Sequence, residues 1–88
     1  MAIATGTVVV DGHTYKKNEE IPDLGSLVCT SFDGNIRNYD GKYADRYKLP
    51  KYDDLGTGSS AFLSDSGNFY LFMYFSDSRT WEGNGEVI

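Results

Sequence analysis

For covalent chemistry the 88-residue chain holds one histidine, His13, and one cysteine, Cys29. A nucleophilic cysteine needs a base beside it to supply thiolate, so any such dyad must consist of these two residues. Nothing in their spacing recommends a pair, and a lone cysteine more often packs as a small hydrophobe. Structural zinc asks for several cysteine or histidine ligands, which one of each cannot supply. Carboxylates are easier to assemble: Asp53-Asp54 precede a small-residue connection, and Asp33, Asp40 and Asp45 crowd the middle of the chain. These are materials for a calcium site or a two-carboxylate glycosidase site. The calcium-loop spacing is absent, because Asp33-Gly34-Asn35-Ile36-Arg37-Asn38 has glycine where a spacer belongs and no Glu at the twelfth position. Such aspartates beside glycine read as turn residues. Leu55-Gly56-Thr57-Gly58-Ser59-Ser60 lacks the lysine of a phosphate-cradling loop. Sugar stacking is a further option, with Trp81 and the tyrosines between 39 and 52 as platforms, although a single Trp on a short terminal strand is more often a core plug. The reading is no enzyme, no metal and no cofactor.

Thirteen acidic residues against eight basic ones give a net charge of −5. That balance argues against direct nucleic-acid binding through phosphate neutralisation. No run of eighteen apolar residues exists, so no membrane-spanning helix is expected. The start, Met1-Ala2-Ile3-Ala4, has no basic region ahead of a long apolar core, which reads as no secretory signal. The chain is read as soluble and made in a cytoplasm, with Cys29 reduced and buried.

The elements that must position any site are strands. Thr7–Val10 and His13–Tyr15 flank Asp11-Gly12, and Ser26–Phe32 and Asn35–Tyr39 flank Asp33-Gly34, both hairpin signals. Lys42–Asp54 reads as an ordered loop with at most one helical turn near 43–48, since Tyr43 and Tyr47 are four apart and Pro50 ends anything regular. Ser60–Ser64 turns through Asp65-Ser66-Gly67-Asn68 into Phe69–Phe75, and Arg79–Trp81 closes the framework. Residues 1–5 and 83–88 are read as flexible or assembly-dependent ends. The expectation is a single all-β, mostly antiparallel domain, a small sandwich or open barrel of three hairpins and about six strands.

Phe69–Phe75, reading Phe-Tyr-Leu-Phe-Met-Tyr-Phe, is the central strand and is apolar on both faces. Alternation puts Phe69, Leu71, Met73 and Phe75 on one face and Tyr70, Phe72 and Tyr74 on the other. The first set is expected inside. Tyr70, Phe72 and Tyr74, with Trp81, Tyr43 and Tyr47, are the candidate protein interface.

The cadence Gly58-Ser59-Ser60-Ala61, Asp65-Ser66-Gly67, Tyr70, Tyr74, Thr80-Trp81 resembles an element of small tailed-phage virion proteins and fibre segments. Lys48-Leu49-Pro50 and Asp53-Asp54-Leu55-Gly56 are similar to small proteins encoded among phage structural genes. The resemblance covers about residues 48–81; Asp-Ser-Gly stands for the commoner Asp-Thr-Gly, and the chain continues past the Trp. It carries over no catalytic residues. It implies a non-enzymatic virion component that docks on a capsid or tail or assembles with copies of itself. The alternatives are an acidic inhibitor of a host defence nuclease and a carbohydrate-binding module.

Overall fold

The computed structural model describes residues 2–88. The described residues form ten short strands: β1 (Ala2–Ile3), β2 (Val8–Val10), β3 (His13–Tyr15), β4 (Glu20–Ile21), β5 (Val28–Asp33), β6 (Ile36–Lys42), β7 (Ser60–Asp65), β8 (Asn68–Phe75), β9 (Thr80–Gly83) and β10 (Glu86–Val87). A 3-10 helix at Tyr43–Lys48 is the one helical element among them. It ends at Leu49, which adopts extended backbone (φ −56°, ψ 129°) as a residue before proline must. The domain is all-β.

Six strands form the main sheet in the order β10-β9-β8-β7-β6-β5, while β1-β4 and β2-β3 form two-stranded sheets. Turn chemistry sets the registers. Asp11 (φ 52°) and Gly12 (φ 82°) both sit at positive φ, as a type I′ turn between Val10 and His13 requires. Ser66 (φ 49°) and Gly67 (φ 84°) repeat this between β7 and β8. The β5-β6 turn is offset by one residue from the expected Asp33-Gly34: Asp33 pairs with Ile36, and Gly34 alone takes positive φ (60°), as at the first position of a type II′ turn.

Residues 83–88 are not a free end. Asn84 (φ 53°) and Gly85 (φ 80°) turn β9 into β10, and Ile88 exchanges backbone hydrogen bonds of 3.0 and 2.8 Å with Trp81. At the other end β1 pairs with β4, and Ala4 is buried; Met1, part of the 1–5 expectation, lies outside the described residues.

One contact is not antiparallel. β6 pairs in parallel with β7, from Asn38↔Ser60 to Lys42↔Ser64. Parallel neighbours need a crossover of a dozen or more residues. Residues 43–59 provide it, and they cover one face of the sheet. The sandwich-like core lies beneath this crossover: Tyr39 of β6, Ala61 and Leu63 of β7, Phe72 and Tyr74 of β8 and Trp81 of β9, with Leu27, Leu49 and Leu55. Trp81 pins the layers together, donating its indole N–H to the Pro50 carbonyl at 2.9 Å.

The expected polarity of β8 is reversed. Phe72 and Tyr74 are buried and Tyr70 half-buried, while Phe69, Leu71, Met73 and Phe75 face out. Register is the reason: Ala61 pairs with Phe72, Leu63 with Tyr70 and Trp81 with Tyr74, so these side chains share the side that the crossover closes.

Candidate functional site

The outward side of β7 and β8 carries the largest unexplained feature. Pairing places its side chains in cross-strand rows: Phe62 beside Leu71, Ser60 beside Met73 and Ser64 beside Phe69. The rows extend to Asn38, Asp40 and Lys42 on β6, and to Glu82 and Thr80 on β9. The result is a patch of Phe62, Phe69, Leu71, Met73 and Phe75, all exposed, with charges only at its margins. Phe62 and Phe69 stack on each other, centroids 5.1 Å apart and planes within 15°. A cleft of about 500 Å³ opens beside Phe69, lined by Lys42, Ala44 and Ser64–Gly67. Apolar side chains scattered singly on a surface need no explanation, but five contiguous ones make this face the candidate site.

The residues singled out from the sequence divide. Phe72, Tyr74 and Trp81 are core and present no surface, because each lies in the layer between sheet and crossover. The burial of Trp81 also removes it as a sugar platform. Tyr43 and Tyr70 are half-buried and stack on each other at 4.1 Å between centroids, and Tyr43 donates its hydroxyl to Glu86. Tyr47 is exposed and accepts a hydrogen bond from Arg46 at 3.0 Å. Tyr43, stacked on Tyr70, ties the 3-10 helix to the sheet, whereas Tyr47 stands in the open. The large apolar side chains left exposed on β7 and β8 are instead Phe62, Phe69, Leu71, Met73 and Phe75.

The residues considered for catalysis are also accounted for. Cys29 is half-buried, its thiol aimed at the Ser31 carbonyl, and burial pushes it up, away from a reactive thiolate. His13 Nε2 lies 2.9 Å from Asp54 Oδ2. No three His, Cys, Asp or Glu among the described residues converge as a metal site.

Asp54 belongs to a polar cluster that the sequence did not reveal. Arg37 is fully buried on β6 and donates from Nε and Nη2 to the Asp11 carbonyl at 3.2 and 2.8 Å, and from Nη2 to Asp54 at 3.1 Å. Its guanidinium lies 4.2 Å from the Phe32 ring centre, and Nη1 has no hydrogen-bond partner among the described residues. Burial by itself would raise the Asp54 carboxyl, but donation from Arg37 and the contact with His13 hold it below the usual range. The Asp11 carboxylate accepts from both Tyr39 (2.9 Å) and Tyr52 (2.8 Å). The cluster fastens the β2-β3 turn to the inner face of the sheet.

Burial, reinforced by donation to Asp11, pushes the Tyr39 and Tyr52 hydroxyls far above the ordinary tyrosine range. The stabilisation these groups contribute is fully present below the unfolded tyrosine value of about 10 and is lost as pH rises above it. In an alkaline titration the native chain should therefore leave Tyr39 and Tyr52 protonated until it unfolds. Tyrosinate absorbance accounting for all seven tyrosines in one step near the ordinary value, with circular dichroism unchanged, would contradict this arrangement.

Comparisons of the chain with protein-family models, curated proteins and solved structures find no match.

Proposed function

We propose that the chain is a non-enzymatic structural protein, a small virion component that docks on or assembles into a capsid or tail through the outer face of β7 and β8. The observation that carries the proposal is that face: five large apolar side chains held in the open by a sheet whose other side is already a complete core. Water is a poor partner for such a surface and a protein is a good one. The phage setting is supported by the resemblance of residues 48–81.

The inhibitor reading draws less support from the charge distribution. Asp23 and Asp45 share Lys48, Asp53 meets Arg79, Asp54 meets Arg37, and Glu86 meets Arg46. Carboxylates interleaved with cations make a poor imitation of a phosphate backbone.

The test is incorporation into particles of the phage that encodes the chain. Wild-type protein should co-purify with particles, and Leu71→Lys, which puts a charge at the centre of the face without touching the core, should be excluded. Particles free of the wild-type protein would rule out the virion role.

A further inference from the structure

We infer that the outer face of β7 and β8 is covered by a second copy of this chain, packed sheet on sheet about a two-fold axis. The inference deepens the assembly reading above and rests on the same face, but it commits to the occupant.

Area is the first argument. Phe69, Leu71, Phe62, Met73 and Phe75 remain 63, 54, 48, 42 and 38% exposed. With about 200 Å² for a large side chain, they leave roughly 500 Å² of apolar surface in contact with water. That lies in the upper half of the range of about 300–600 Å² found for the largest patch on a monomer, a size that is often functional. A two-fold pair doubles it to roughly 1,000 Å² before the polar rim is counted, the size at which specific interfaces begin.

Shape is the second. The inner face is used up by the crossover and the β2-β3 turn, so the outer face lacks the second layer that a sandwich provides. Another copy supplies a sheet of the same width and the same right-handed twist, and such sheets pack aligned about 10 Å apart with side chains interleaved. The large side chains of β8, alternating with the small Ser60 and Ser64 of β7 across the rows, give the relief that two copies can interlock.

Charge and edges complete the case. The net charge of −5 would oppose self-association if it fell on the face. The centre holds no charge, and the margin mixes both signs in Asp40, Lys42 and Glu82. Growth through the sheet edges is disfavoured, because β10 is two residues long and β5 carries an irregularity between Cys29 and Ser31. The face is the open route.

Sedimentation equilibrium of the full chain between about 1 and 100 μM tests this. Wild type should move from monomer to dimer and no further. Leu71→Lys should weaken the dimer by about tenfold or more, because a lysine at the centre of the interface would be buried without a partner. Val9→Lys, on an exposed position of β2 away from the face, should leave it unchanged. Circular dichroism and Trp81 fluorescence show that each variant is folded. A wild type that stays monomeric at the highest concentration overturns the inference, as does a Leu71→Lys chain that dimerises like wild type, or an assembly larger than two. If the wild type is monomeric yet Leu71→Lys is excluded from particles, the face belongs to a different protein and only the second-copy inference falls. If Leu71→Lys abolishes a dimer of a chain that never enters particles, the virion reading falls and the dimer stands.

Discussion

Trp81→Ala is expected to cost about 3–5 kcal/mol, as complete removal of a buried indole does. A domain of this size has little more than that to lose, so the variant should be largely unfolded at room temperature, by circular dichroism and by a urea transition shifted toward zero denaturant. The size of the effect follows from what the ring touches. It lies against Tyr74 at 5.1 Å and Tyr39 at 6.1 Å between centroids, and its N–H reaches across to Pro50 on the crossover. Deleting it opens a cavity between the layers and leaves the Pro50 carbonyl without its donor. Trp81→Phe separates the two contributions: it keeps most of the packing and loses the hydrogen bond, for an expected cost of about 1–2 kcal/mol. If Trp81→Ala leaves the urea midpoint unmoved, the crossover is not held down by this residue and the described core is wrong.

How much of this was legible beforehand depends on the range of the signal. Asp11-Gly12, Ser66-Gly67 and the stop at Pro50 act within a few residues, and the elements they delimit are where the sequence puts them. Asn84-Gly85 carries the same local signal, and it turns β9 into β10 within residues 83–88, which were expected to be flexible or assembly-dependent. The parallel β6-β7 pairing was not readable, since the crossover of residues 43–59 has no regular period to announce that it spans the sheet. Nor was the polarity of β8. Alternation separates Phe69, Leu71, Met73 and Phe75 from Tyr70, Phe72 and Tyr74, but both sets are apolar, so composition cannot choose between them. The choice is made by the crossover, whose Leu49 and Leu55 pack with Tyr39, Ala61, Leu63 and Trp81 on one side of the sheet only, a contact that no local pattern announces. Arg37 was hidden for a similar reason. Its partners Asp11 and Asp54 are 26 and 17 residues away, and a lone arginine in a strand ordinarily points to water.

That hidden cluster carries the second large effect. Asp11→Ala should destabilise the chain by about 2–5 kcal/mol, because two hydroxyls lose one shared acceptor and each polar group left buried without a partner costs about 1–3 kcal/mol. The turn adds to the loss, since alanine tolerates the positive φ of position 11 less well than aspartate does. Asp11→Asn isolates the charge. Asparagine accepts a hydrogen bond and suits the same backbone, so the turn and one acceptor survive while the charge-assisted part is lost, and the expected cost falls to about 1–2 kcal/mol. An Asn variant that is less stable than wild type yet more stable than Ala, read from urea midpoints, is the decisive observation, because a residue acting only through turn geometry would give an Asn variant indistinguishable from wild type. A double-mutant cycle of Asp11→Asn with Tyr52→Phe should show coupling of about 0.5 kcal/mol or more, the signature of a shared hydrogen bond; strict additivity would mean that the β2-β3 turn is held by something other than this contact. The cluster and the outer face then separate cleanly. Asp11 and Arg37 hold the hairpin to the inner layer, and changes there should lower stability, whereas Leu71→Lys should leave the monomer's stability nearly unchanged and alter only what the chain binds.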